Sequence, residues 1–250
     1  MYSIDHKPPA PINNLLYRIR AQSLRSYPFC HFYGDGAFDP TISEKIRMFW
    51  PKKEELRAIS ATGRVKKGEY EQRSMVSLDA YAASLPPNCP EGNFWRQMNE
   101  TLNSDELIAG ALEWLWPTIK AVRELPEEIV VFSDVILTED EEGYAIGPHT
   151  DAPNRLVTIL FYVPTDAKAA SAGTSLFAPR DMNFDSKISG VHHDRSLFDK
   201  VFTVPFLPDS FLGFIVSPNS YHGVDEVGLL PTSRRQIQYS IRYRLRDDPQ

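Results

Sequence analysis

The chain is predicted to be an α+β protein with a mainly β core: an antiparallel sandwich or jelly roll whose outer sheet face is covered by helices from the first half. Two observations carry that expectation. Residues 1–127 show mostly helical spacing of apolar side chains, whereas residues 128–250 hold six short β-branched and aromatic runs broken by Gly, Pro, Asn and Asp. Most of those runs have no helical spacer between them, which disfavours a parallel α/β sheet. At 250 residues the chain is long enough for one large core, and residues 1–250 are expected to form a single domain.

In chain order, Asp39-Pro40 opens the first clear helix, with Asp39 or Thr41 as its cap. Ile42, Ile46, Phe49 and Trp50 share a face, and Pro51 ends it. A second helix is expected around Ala80. A third runs through NFWRQMNETL, where Phe94, Trp95, Met98 and Leu102 align. Ser104 caps a fourth, with acidic residues in its first turn and basic ones near its end, as the helix dipole favours. These aromatic stripes read as packing surface. After Pro126 come the strand candidates IVVFSDVILT, RLVTILFYV, GTSLFAP, KVFTVPFL, SFLGFIVS and RRQIQYSIRYRL. The run Glu139-Asp140-Glu141-Glu142 reads as a solvated hairpin turn.

Composition narrows the function. A net charge of −6 without a long basic run lacks the footprint of a nucleic-acid or anionic-membrane binder. No apolar run approaches the roughly 20 residues needed to span a bilayer, and the N-terminus lacks a signal-peptide layout, so a cytoplasmic protein is expected. Cys30 and Cys89 are far apart, suggesting neither a disulfide framework nor a zinc–thiolate site. The sequon at Asn99 has no secretory context. No nucleophile elbow, P-loop or dinucleotide fingerprint occurs.

Chemistry concentrates in YAIGPHTDAPNRLVTILFYVP, Tyr144 to Pro164, where His149 and Asp151 precede a strand. Two imidazoles and one carboxylate form the facial triad that suits non-haem iron and leaves positions open for other ligands. The second imidazole is supplied by His222, 73 residues downstream, after a strand and a Pro-Asn turn. A cation for an organic acid comes next: Arg234 and Arg235 open the last strand. Counting by two, Arg234, Gln236, Gln238, Ser240 and Arg242 form a polar face, and Arg235, Ile237, Tyr239, Ile241 and Tyr243 a mainly apolar one. The apolar face should pack under the helices, which favours Arg234 over Arg235 for the pocket. In RLVTILFYV, Thr158, Leu160 and Tyr162 face inward; the Tyr162 hydroxyl either assists the arginine or bonds to backbone. His192-His193-Asp194 reads as a polar loop, His31 as structural. Asp134 reads as either a substrate contact or a solvated edge residue.

These residues resemble the Fe(II)/2-oxoglutarate-dependent dioxygenases, on their prolyl-hydroxylase and phytanoyl-hydroxylase side. The likeness rests on HTD at 149–151, His222 in NSYHGV, the Arg234-Arg235 pair, RLVTILFYVP followed by GTSLF, and the lead-in YPFCHFYGDGAFDPTISEKI. It covers residues 128–246, and the first half only loosely. One departure is that no serine stands two residues past either arginine, where Gln236 and Ile237 occur. The resemblance implies a double-stranded β-helix, with Fe(II) on His149, Asp151 and His222. It also implies 2-oxoglutarate as cosubstrate, anchored by Arg234 or Arg235 with Tyr162 near by, and O2 as oxidant. The implied reaction is hydroxylation of a C–H bond in a small-molecule or peptidyl substrate, with release of succinate and CO2. Because Asp151 is kept, the halide-binding variant is disfavoured. Two rivals share the ligands: a cupin-like binder of metal or ligand without turnover, and a zinc hydrolase.

Overall fold

The computed structural model describes residues 10–66, 69–181, 183–184, 192–230 and 233–246. In the first half, helix α1 (Ala10–Arg20) leads to strand β1 (His31–Gly34) and helix α2 (Pro40–Met48). Strands β2 (Arg57–Ala58) and β3 (Arg73–Ser77) then precede helices α3 (Leu78–Ser84), α4 (Pro90–Leu102) and α5 (Asp105–Val122). Local chemistry fixes the helix starts. The Asp39 carboxylate accepts the Thr41 N–H at 2.9 Å, and the Ser104 hydroxyl accepts that of Leu107 at 3.2 Å, each satisfying a donor the first turn leaves free. Cys89 caps α4 through its sulfur.

The second half supplies β4 (Ile129–Asp140), β5 (Ile146–His149), β6 (Arg155–Tyr162), β7 (Thr174–Pro179), β8 (Phe198–Val204), β9 (Phe211–Ile215), β10 (His222–Val224) and β11 (Arg234–Leu245). Two antiparallel sheets result. The larger has the order β1-β9-β6-β11-β4-β3-β2, the smaller β5-β10-β7-β8. β11 and β4 pair along their whole length, from Arg234 opposite Asp140 to Leu245 opposite Ile129.

Alternation along the strands divides the apolar residues into two cores. Val157, Ile159 and Phe161 of β6 and Ile237, Tyr239 and Ile241 of β11 pack with Leu15, Ile46, Trp95, Leu102, Leu115 and Ile119 of the helices. On the other face, Leu160, Tyr162, Leu212 and Phe214 meet Leu176 and Val204 of the small sheet. Each side chain of this size contributes roughly 1.5–3 kcal/mol when buried. The helical half is therefore the cover of one sheet face, as the pattern of β11 predicts.

The first half is mostly helical, and its short strands β1, β2 and β3 extend the large sheet at both edges. One expectation needs correction. The acidic run is a solvated turn only at Glu141 and Glu142: β4 continues through Glu139 to Asp140, which is fully buried. The fourfold acidic stretch hides the strand period, because Asp140 faces inward while Glu139 faces the helices and accepts the Trp50 indole N–H at 2.9 Å. Among the described residues no helix is long and apolar enough to cross a membrane.

Candidate active site

β5 and β10 are neighbours in the small sheet, and their register sets His149 directly opposite His222. Gly223 permits that approach, because a Cβ there would lie 2.5 Å from the Ile146 carbonyl oxygen. The two imidazole rings have centroids 4.4 Å apart. Asp151 follows β5 at the rim of the large sheet. One ligand atom from each of His149, Asp151 and His222 lies within 4.8 Å of the others, which is the only such His/Cys/Asp/Glu group among the described residues.

The protonation pattern suits a cation. His149 Nδ1 lies 2.9 Å from the Gly147 carbonyl and His222 Nδ1 3.0 Å from that of Ser220. A carbonyl only accepts, so both Nδ1 atoms carry the proton and both Nε2 lone pairs are free. Burial, reinforced by His222, pulls His149 down to about 3, and burial also lowers His222. Both rings are therefore neutral near pH 7, as a metal ligand must be. Burial opposes ionisation of Asp151, but Arg155, the two histidines and Thr158 outweigh it and hold the carboxyl below its ordinary range. Arg155 donates to Oδ1 at 2.8 Å and Thr158 to Oδ2 at 2.7 Å, fixing the carboxylate plane.

A cavity of about 350 Å³ opens beside the triad, lined on one side by the polar faces of β6 and β11. Arg234 lies in its wall, fully buried, donating to the Ala172 carbonyl at 2.6 Å, to Asp140 at 2.8 Å and to Thr174 at 3.3 Å. Arg73 of β3 joins it through bonds of 2.6 and 2.8 Å to the same carboxylate. Burial works against Arg73, yet Asp140 holds its guanidinium above its ordinary value. Two buried cations thus share one anion. The Tyr144 hydroxyl, also in the wall, is buried without a hydrogen-bond partner.

The remaining sequence-derived candidates fall elsewhere. Arg235 is turned away from the cavity, ion-paired to Glu139 at 3.2 Å and placed over the Trp50 ring, because it occupies the helix-facing register of β11. Tyr162 does not line the cavity. Its hydroxyl donates to Thr174 at 2.8 Å, so it touches Arg234 only through that shared partner and through its ring, 5.9 Å from the guanidinium carbon. Asp134 is held by Arg64 in a two-bond fork at 3.0 Å and by Arg242 at 2.8 Å. His31 is structural, its Nδ1 2.9 Å from the Phe29 carbonyl.

Sequence reasoning missed Arg73, Tyr144, Asp140, Arg155 and His192. His192 lies in the polar loop expected of it, but that loop reaches the site: its ring centroid is 5.0 Å from that of His149, and it bonds to the Tyr70 hydroxyl. Tyr70 and His192 come from two separate segments and line the same cavity as the triad.

No protein-family model matches the chain, and no curated protein matches it in sequence. Solved structures do match in shape. A prolyl 4-hydroxylase from Phytophthora capsici superposes with a TM-score of 0.52 at 15% identity, over 96% of this chain and 68% of that one. A Pseudomonas putida prolyl-4-hydroxylase gives 0.49 at 11% identity, covering 92% and 99%. The non-haem α-ketoglutarate-dependent carbocyclase SnoK from nogalamycin biosynthesis gives 0.49 at 15%, covering 98% and 91%. The fold is the one adopted by the prolyl 4-hydroxylase from P. capsici, which agrees with the resemblance drawn from the sequence motifs.

Proposed function

We propose that the chain is an Fe(II)- and 2-oxoglutarate-dependent oxygenase with a double-stranded β-helix core. Its reaction is hydroxylation of an unactivated C–H bond in a small-molecule or peptidyl substrate. The observation that carries the reading is the convergence of two neutral imidazoles, each with Nε2 free, and one oriented carboxylate beside a cavity with a surplus of buried guanidinium. The donor set fits Fe(II), with His149, Asp151 and His222 as ligands.

When bound, Fe(II) with 2-oxoglutarate and O2 supplies the oxidising chemistry, with succinate and CO2 released. The chain's own residues supply orientation. Arg234 and Arg73 form a charge-assisted seat for the far carboxylate of 2-oxoglutarate, since Asp140 cancels only one of their two charges, and Tyr144 offers an unused O–H beside them. Tyr162 acts through Thr174, keeping the Arg234 side chain in place. Arg155 and Thr158 hold Asp151 for the metal. Tyr70 and His192 limit water at the triad.

Anaerobic addition of Fe(II) and 2-oxoglutarate should give the weak visible charge-transfer band of an iron–oxoacid complex, absent in His222→Ala. Slow succinate release should follow on admitting air. Zinc as the tightly held metal with no 2-oxoglutarate binding would favour the hydrolase instead; 2-oxoglutarate binding without any succinate, with or without candidate substrates, would favour a non-catalytic binder.

A further inference from the structure

The cavity has a second cationic end, where Arg64 and Arg242 serve neither the metal nor the cosubstrate and Arg155 meets the metal site only through Asp151. Five arginines line it, namely Arg64, Arg73, Arg155, Arg234 and Arg242. The carboxylates they touch are Asp134, Asp140 and Asp151. Arg73 and Arg234 form the inner end. Arg64 and Arg242 share Asp134, and Arg155 leans on Asp151, whose charge the metal also needs. Arg234 and Arg242 are eight residues apart on one strand, about 26 Å at the usual rise. One short dicarboxylate cannot serve both ends.

Two features mark the outer end as incomplete. Arg155 and Arg242 are cross-strand partners on β6 and β11, and like charges directly opposite one another destabilise a sheet. Both side chains are also mostly buried, at 13% and 22% exposure, so water screens them poorly. In addition, the Nε of Arg155 and the Nε of Arg242 are buried with no hydrogen-bond partner. An oxyanion bound between them would satisfy both donors and offset the repulsion.

We infer that the prime substrate carries an anionic group, a carboxylate or phosphate, received at the outer end of the cavity by Arg64, Arg155 and Arg242. The word substrate rests on the oxygenase reading, whereas the anion site does not. Asp134 acts as the holder that keeps Arg64 and Arg242 facing each other, rather than as a substrate contact.

The test uses the full chain without metal or 2-oxoglutarate, titrated calorimetrically with inorganic phosphate and, separately, with acetate. Saturable one-site binding is expected for at least one of them, and the tighter identifies the class of group. Arg242→Gln and Arg64→Gln should each weaken it about tenfold or more, the loss expected for one charge-assisted contact. Arg246→Gln, whose partner Glu128 is remote and exposed, should bind as the parent does. Thermal melts establish that each variant is folded, and Arg64, the more exposed of the pair, serves if Arg242→Gln is not. The inference is overturned if neither anion binds, if affinity is equal in all variants, or if binding is lost in Arg73→Met but survives in Arg242→Gln. Anion binding that follows Arg242 in a protein with no response to Fe(II) and 2-oxoglutarate would retain this site and discard the oxygenase reading.

Discussion

Replacing Asp140 with Asn tests the inner end of the cavity most severely. Its carboxylate accepts two bonds from Arg73, at 2.6 and 2.8 Å, and one from Arg234, at 2.8 Å, and it is fully buried. The amide cannot neutralise either guanidinium, and one of its ends turns a donor towards donors. Removing one partner of a buried ion pair costs about 3–5 kcal/mol, because the remaining charge is left uncompensated. For a domain of this size each kcal/mol lowers the melting temperature by about 2–4 °C, so a drop of roughly 6–20 °C is expected. The second half of the expectation has the opposite sign. The seat's net charge rises from one to two, so 2-oxoglutarate with a redox-silent metal should raise the melting temperature of Asp140→Asn by more than that of the parent. Thermal denaturation with and without ligand reads both effects in one plate. A variant melting within a degree or two of the parent, or one stabilised no more than the parent by 2-oxoglutarate, would refute the assignment of Asp140 as counter-ion of an anion seat.

Three further outcomes are expected. Arg235→Gln should leave 2-oxoglutarate affinity unchanged and cost about 1–2 kcal/mol, since it loses a partly buried ion pair with Glu139 and the contact over the Trp50 ring; equilibrium binding and a denaturant melt check this, and weakened cosubstrate binding would reverse the choice between the two arginines. Gly223→Ala should lower metal affinity sharply while the protein still folds, because the added Cβ meets the Ile146 carbonyl at 2.5 Å and pushes His222 away from His149; metal titration followed by atomic absorption measures it. The metal-free protein should also lose stability in mild acid. Folded His149, drawn down to about 3, stays neutral while the unfolded chain takes up a proton below its ordinary value of 6.5, so the unfolded state gains as pH falls. The stability contribution is complete above about pH 6.5, and His149 alone loses about 2 kcal/mol of it by about pH 5. His222, lowered by burial, adds in the same direction. A melting temperature that stays flat across that window would count against buried neutral histidines.

What the sequence displayed and what it concealed follow from how many residues each feature spans. β4, β6, β9 and β11 announce themselves because each is a run of β-branched and aromatic residues over five to twelve positions, and β6 and β11 also alternate two faces. The same alternation separates Arg234 from Arg235 without any coordinates. β2, β5 and β10 are two to four residues long, too short for a period, and only their hydrogen-bonded neighbours make them strands. His222 is legible as a residue type but its strand is not; register opposite His149 is a tertiary fact. Arg73 and Arg64 were invisible for another reason. Both come from the half of the chain that reads as helical cover, more than 60 residues before the aspartates they meet, and one guanidinium in a charged stretch looks like any solvated surface group. Asp140 was misread for the complementary reason: among four consecutive acids, nothing in the sequence distinguishes the one that a buried arginine faces. The strand pattern thus locates the wall of the cavity, while the balance of charge inside it, on which cosubstrate and substrate recognition depend, is set by pairings between segments that no local pattern connects.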